Sequence, residues 1–179
     1  MSFEKDGISD FVSSTRYENI PEEVNPVLKR AILDYLGVTL AGSGEPAVKI
    51  ISQFTKELEV RGGATVIGGG FKTRAWLAAM VNGAMAHGLE YDDTIPLSEG
   101  YNCHPSVVLL PAVLGLAEEY QFTGKDILAA YSVGFEVEAR IGSLIGKQIR
   151  EAGWHPTSVL GTLGAAAASS NLLRLSSQE

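Results

Sequence analysis

The sequence predicts an all-α domain with at most one short strand. Apolar residues recur at three- and four-residue spacing from residue 21 to residue 173, and proline or glycine separates the successive segments. Only residues 64–67 form a short β-branched run of the kind that suits a strand. At 179 residues the chain can bury one core, so we expect a single helical domain over residues 1–179.

Helix starts are marked by proline or by a capping residue. Pro21, Pro46, Pro105 and Pro156 each open a segment, where the missing N–H of the first turn costs nothing. Residues 123–126 form another helix start, with Asp126 near the cap. The predicted helices are residues 8–17, 21–42, 46–59, 74–90, 105–117, 127–145 and 157–173, with a loop at 95–103 and a polar connection at 146–153.

Two of these helices have unusual surfaces. Residues 107–117 are apolar on nearly every face, which predicts a central, buried helix. Residues 161–170, GTLGAAAASS, are almost all small, and such a surface allows another backbone to pack closely.

The composition excludes several classes of protein. The net charge of −7 argues against a nucleic-acid partner, because phosphate binding needs a basic face. Cys103 is the only cysteine, so a disulfide within the chain and a CxxC metal site are excluded. The N-terminus has no apolar run, and no apolar stretch approaches the roughly 20 residues of a membrane span. We therefore expect a cytoplasmic protein with no membrane segment.

Two histidines occupy the same local setting. His104 and His155 each precede a proline and a hydroxyl residue, Ser106 or Thr157, at the start of an apolar helix. A helix N-terminus offers free N–H groups and partial positive charge, which attract carboxylates. Two such ends facing one cleft would bind a small polycarboxylate between imidazoles placed for proton transfer. The alternative is that both are ordinary helix starts, and the sequence favours the functional interpretation.

The third histidine, His87, is predicted to be structural, since it lies mid-helix among alanines and glycines. If that helix continues to Thr94, then His87, Glu90 and Thr94 share one face, while Asp92 and Asp93 point elsewhere.

Three other chemistries are considered and disfavoured. A metal site would use His, Asp and Glu, but no HExxH spacing or cysteine pair is present, so no metal is predicted. Cys103 next to His104 is a poor candidate nucleophile, because adjacent side chains point apart. The triplet at residues 68–70 lacks the context of a phosphate loop, and a turn is favoured.

Four blocks of the chain resemble the MmgE/PrpD family. They are NGAMAHGLEYDDT, CHPSVVLLPAVLGLAEEY, GFEVEARIG and WHPTSVLGTLGAAAASSNLL, in that order along the chain. The family includes 2-methylcitrate dehydratase, cis-aconitate decarboxylase and related epimerases. The resemblance implies a helical large domain, a dimer, a small polycarboxylate substrate, and no metal or other cofactor.

By position, the resemblance implies that Glu90, Thr94, His104 and His155 line the active site. We expect His104 and His155 to be the proton-transfer pair, facing one another across a cleft with Glu90 on its wall. Glu90 would orient or share their role, and Thr94 and Asp93 would bind substrate. The family usually has aspartate at position 90, and the loop between residues 94 and 104 is longer here. Both differences bear on substrate identity.

The resemblance also implies a lid domain with lysines for the substrate carboxylates, which this chain does not contain. The expected partners are therefore a second copy or a complementary C-terminal chain, and the isolated chain is expected to be incomplete. The alternative is a non-catalytic helical subunit that binds a partner through its Gly/Ala-rich helix. The choice among dehydratase, decarboxylase and epimerase stays open.

Overall fold

The structure, a computed structural model, describes residues 3–97 and 102–179, with side chains from residue 7 onward in the first helix. In these ranges seven helices and four short strands are formed. The helices are α1 (Phe3–Ser14), α2 (Asn25–Gly42), α3 (Pro46–Glu57), α4 (Ala75–His87), α5 (Ser106–Tyr120), α6 (Gly124–Glu151) and α7 (Pro156–Leu172). The strands are β1 (Ala64–Val66), β2 (Phe71–Thr73), β3 (Ile95–Pro96) and β4 (Asn102–Cys103).

The prediction of a mostly helical fold is confirmed, but the strand count is higher than expected. The predicted strand is β1, and it pairs antiparallel with β2, so that Ala64 lies opposite Thr73. A second antiparallel pair joins β3 to β4, with Ile95 opposite Cys103, inside the predicted loop. Residues 98–101 of that predicted loop lie outside the described residues. Short sheets of this kind satisfy local backbone groups, and Ala64, Val66 and Cys103 add buried side chains to the core between the helices.

Helix α5 lies at the centre of the packing, as its apolar sequence predicted. It packs against α4, α6 and α7, and Leu109, Leu110 and Val113 are fully buried. Helices α6 and α7 form the most extensively packed helix pair and add further core residues, among them Tyr131, Val133 and Leu160.

The small residues of α7 allow the close approach that the sequence predicted. A Cβ added at Gly134 of α6 would lie 2.8 Å from the carbonyl oxygen of Gly164 on α7. Contacts this short are open only to glycine, so the two helices are fixed at a separation that a side chain would prevent.

Several helix boundaries differ from those predicted. Helix α6 continues to Glu151, so the polar connection at residues 146–153 is largely helical. Helix α4 ends at His87 rather than near Glu90. Residues 22–24 form a single 3-10 turn before α2, which begins at Asn25.

The start of α6 follows the predicted capping chemistry. The Asp126 backbone N–H donates to Thr123 Oγ1 at 3.3 Å, and the Thr123 N–H donates to Asp126 Oδ2 at 3.0 Å. This reciprocal pair satisfies two N–H groups that a helix start leaves open.

No helix among the described residues is long and apolar enough to cross a membrane.

Candidate active site

The three histidines converge at one point of the fold. His87 is the last residue of α4, His104 follows β4, and His155 precedes the first residue of α7. The ring centroids of His87 and His104 are 4.9 Å apart, edge to face, and those of His87 and His155 are 6.3 Å apart. Three segments that are distant in sequence therefore bring their imidazoles together.

A buried carboxylate, Asp92, lies against two of these rings. His87 Nδ1 is 3.1 Å from Asp92 Oδ2 and 3.3 Å from Oδ1. His104 Nδ1 is 2.9 Å from the same Oδ2, an ion-pair distance, although its direction is not that of a hydrogen bond. The Asp92 side chain is 1% exposed, whereas those of His87 and His104 are 34% and 18% exposed. We call His87, Asp92, His104 and His155 the histidine cluster.

Helix α7 also fixes the backbone of His104. The His104 N–H donates to Thr157 Oγ1 at 3.1 Å, in the first turn of α7. Because His155 immediately precedes that turn, this bond ties the two histidine segments to each other. The common His-Pro-Ser/Thr pattern thus has a structural basis, since the hydroxyl residue of one segment holds the backbone of the other.

Asp93, which follows Asp92 in the chain, forms a second polar group with Ser106. Asp93 accepts from the Ser106 hydroxyl at 2.6 Å and from the Ser106 N–H at 3.2 Å. The Ser106 hydroxyl also lies 2.6 Å from the hydroxyl of Tyr131. Burial raises the pKa of Asp93, and the Ser106 hydrogen bonds lower it in part, while the charges of Asp34 and Asp92 raise it further. Because Asp93 accepts from the N–H of Ser106, the first residue of α5, it caps the start of that helix.

Asp93 and Thr94 also line a cavity of about 340 Å³ between α2 and α6, bordered by Leu28 and Phe135. The expected role of these two residues in substrate binding stays a prediction.

Glu90 does not occupy the helical position expected for it. With α4 ending at His87, Glu90 has a φ of 53° in the left-handed region, and its N–H donates to the His87 carbonyl at 3.2 Å. The expected common face of His87, Glu90 and Thr94 is therefore wrong, because the chain turns before Glu90. In the described residues no hydrogen bond or ion pair joins the Glu90 carboxylate to an imidazole. Its proposed share in catalysis stays a prediction.

The part of the chain that the structure describes contains one group of side chains of metal-ligand type. The ligand atoms of His87, Asp92 and His104 all lie within 4.8 Å of one another. Atoms bound tetrahedrally to zinc at about 2.0–2.1 Å would be separated by about 3.3 Å. The observed nitrogen–oxygen distances of 2.9 and 3.1 Å are shorter and fit direct imidazole–carboxylate contacts better.

A fully buried acid lies close to the β4 end of the cluster. Glu138 of α6 is 0% exposed, and neither of its oxygens has a hydrogen-bond partner of good geometry among the described residues. Burial raises the pKa of Glu138 to about 7, the nearby Cys103 thiol lowers it in part, and Asp93 raises it. Burial also raises the pKa of the Cys103 thiol, which keeps it protonated and disfavours a nucleophilic role, as expected.

Sequence reasoning missed Asp92, His87 and Glu138 as parts of this region. Asp92 has no helical spacing to any histidine, so no periodic pattern connected it to them. The available signal was the group of acids Glu90, Asp92 and Asp93 that follows His87. The turn that brings Asp92, rather than the other two, to the histidines depends on where α4 ends.

Comparison with known proteins gives concordant results. Residues 6–179 match the model of the MmgE/PrpD N-terminal domain. The chain is 39% identical over 155 residues to a cis-aconitate decarboxylase of Mus musculus, covering 83% of this chain and 31% of the relative. It is 38% identical over 156 residues to the Homo sapiens cis-aconitate decarboxylase, with the same coverage. It is 33% identical over 177 residues to that of Aspergillus terreus, covering 94% of this chain and 35% of the relative. The chain thus spans about a third of the length of these relatives.

Proposed function

We propose, because this chain belongs to the MmgE/PrpD family, that it provides the histidine-bearing part of a lyase acting on a small polycarboxylate. The observation that carries the proposal is the convergence of three imidazoles on one buried carboxylate. Such a cluster can hold and release a proton close to a bound anion. The relatives named above make cis-aconitate the first candidate substrate.

The chemistry of decarboxylation needs one proton donor. A carboxylate of the substrate leaves as CO2, and its bonding electron pair stays on carbon, delocalised into the adjacent double bond and its carboxylate. An imidazolium of His104 or His155 then donates a proton to that carbon, and the imidazole regains a proton from solvent. The substrate trianion and one proton thus give CO2 and a five-carbon dicarboxylate dianion.

In this proposal His104 and His155 form the proton-transfer pair, and the other predicted residues serve the substrate. His104 is half-buried and held at its backbone by Thr157, whereas His155 is exposed. Glu90 would orient the pair, and Thr94 and Asp93 would contact the substrate. A dehydratase, for which 2-methylcitrate is the candidate substrate, would use the same pair differently, with one imidazole removing a proton and the other protonating the departing hydroxyl.

The test is turnover of cis-aconitate, followed by NMR as loss of substrate and release of CO2. It is run on the chain alone and on a hybrid in which the chain replaces the matching third of the mouse relative. We expect the hybrid to turn over, and His104→Gln or His155→Gln in the hybrid to reduce the rate by about 10²-fold or more. Lys49→Gln, an exposed change on α3, is the control.

Two outcomes would contradict the proposal. One is a folded hybrid whose rate does not depend on either histidine. The other is a folded hybrid with no turnover of cis-aconitate or 2-methylcitrate, which would favour a helical subunit that binds a partner chain without catalysis.

A further inference from the structure

We infer that Asp92 is a positioning residue that holds His87 and His104 in the same tautomer, with hydrogen on Nδ1. The significance for catalysis rests on the function proposed above, but the tautomers are a property of the chain itself. Asp92 was not predicted among the site residues from the sequence.

The contacts of the carboxylate determine where the protons lie. An ionised carboxylate only accepts hydrogen bonds, so an imidazole nitrogen facing it must carry a hydrogen. His87 Nδ1 faces both oxygens of Asp92, at 3.1 and 3.3 Å, and His104 Nδ1 faces Oδ2 at 2.9 Å. With two oxygens and about four lone pairs, one carboxylate can accept from both rings.

Burial makes this arrangement obligatory for His104. Its Nδ1 is buried, and Asp92 is the carboxylate within reach. A buried nitrogen without a partner would cost stability, so a small rotation of the ring toward Asp92 is favoured.

It follows that Nε2 is the nitrogen of His104 that remains for the substrate. Because Nδ1 is enclosed, Nε2 is the ring nitrogen that can lie in the 18% of the side chain that is exposed. With hydrogen held on Nδ1, the neutral ring presents a lone pair at Nε2, and the charged ring presents a proton there. Asp92 thereby determines which atom of His104 exchanges protons.

The same carboxylate links the two rings. The His87 and His104 centroids are 4.9 Å apart, and in the described residues no lysine or arginine forms an ion pair with Asp92. One carboxylate therefore serves as the acceptor for both ring nitrogens.

The test is 15N NMR of imidazole tautomers in the chain, which contains only three histidines. Spectra of 15N-histidine-labelled protein are recorded in EDTA at about pH 8, where free imidazole is neutral. His87→Gln and His155→Gln spectra assign the three rings. We expect His87 and His104 to show hydrogen on Nδ1, and His155, which has no contact with Asp92 in the structure, to show the Nε2–H form that free imidazole prefers.

The variant Asp92→Asn keeps the shape of the side chain, but it removes the charge and replaces one acceptor oxygen with an NH2 group, which only donates and therefore favours a ring nitrogen that carries no hydrogen. At least one of the two histidines should change tautomer. Asp34→Asn is the matched control, since it removes a neighbouring negative charge on α2 that contacts no histidine in the described structure. Circular dichroism verifies that each variant is folded.

The inference is overturned if wild-type His104 carries its hydrogen on Nε2, or if folded Asp92→Asn leaves both tautomers unchanged. It is supported if the tautomers change in Asp92→Asn and not in Asp34→Asn. Neither result depends on turnover, so failure of the lyase proposal would be recognised separately.

Discussion

Glu138 has a carboxyl group that the fold encloses completely. Its pKa is raised to about 7, chiefly by burial, whereas in the unfolded chain the group ionises near its ordinary value of 4.5. Between these two pH values the native state binds more protons than the unfolded state. The free energy of unfolding should therefore fall as pH rises from about 4.5 to about 7. Above about pH 7, ionisation of Glu138 should cause no further decrease.

We expect Glu138→Gln to remove this part of the pH dependence. The difference in unfolding free energy between variant and wild type should move in favour of the variant by about 3 kcal/mol between about pH 5 and about pH 8. Urea unfolding at both pH values measures it. Glu151→Gln, an exposed change at the end of the same helix, should show no such movement. Parallel pH profiles for Glu138→Gln and wild type would contradict the argument.

At the level of the element, close packing of α2 against α4 depends on Gly42. A Cβ at Gly42 would lie 2.0 Å from the carbonyl oxygen of Met85, whereas a Cβ at Gly37 of the same helix would meet nothing within 4 Å. The two glycines therefore form a matched pair within α2.

We expect Gly42→Ala to destabilise the fold by about 2–4 kcal/mol, because the end of α2 must move away from α4. Gly37→Ala should instead stabilise it by about 0.5–1 kcal/mol, through helix propensity. Thermal unfolding should thus shift down for the first variant and up by a few degrees for the second. Equal shifts for both would show that the α2–α4 contact is looser than described.

The same packing explains which elements the sequence predicted and which it did not. The central helix α5 and the capped start of α6 follow from local composition, and both are confirmed. The predicted break at Gly146 is wrong, since α6 continues through this residue. A Cβ at Gly146 would lie 2.9 Å from Leu97 Cδ1, so glycine is needed here for close packing and not for a turn. That glycine serves a contact with a segment 49 positions earlier in the chain, which no local pattern encodes.

The histidine cluster was likewise predicted only in part from the sequence. His104 and His155 were identified from their matched local patterns, and the structure brings both next to His87. Asp92 was missed because its position depends on the turn after α4. Tertiary geometry, rather than sequence spacing, determines which of the carboxylates of Glu90, Asp92 and Asp93 contacts the histidines.

For the whole molecule, the described surface includes several large apolar side chains. Those at least 65% exposed are Leu33, Ile50, Trp76, Tyr91, Leu144 and Trp154. Exposed apolar surface favours association when it is contiguous. We expect the chain to self-associate or to bind a partner chain, and light scattering coupled to gel filtration would measure the mass. A monomer at about 100 μM, a concentration well above the dissociation constants of stable dimers, would contradict this expectation.

Turnover by the isolated chain depends on how strongly it attracts an anionic substrate. A tricarboxylate is strongly anionic, the chain carries a net charge of −7, and in the described structure no lysine or arginine forms an ion pair with the histidine cluster. The family resemblance implies that lysines elsewhere meet the substrate carboxylates. Two charge-assisted contacts contribute about 1.5–3 kcal/mol each, so their absence would weaken binding by about 10²–10⁴-fold.

We therefore expect the chain alone to turn over cis-aconitate slowly or not at all, and its weak binding to decrease further as salt screens the remaining attraction. Titration of cis-aconitate into the chain and into the mouse relative, at matched ionic strength, gives the two affinities. Robust turnover by a monomer of this chain would show that the histidine cluster and its own helix N-termini are sufficient to hold a trianion.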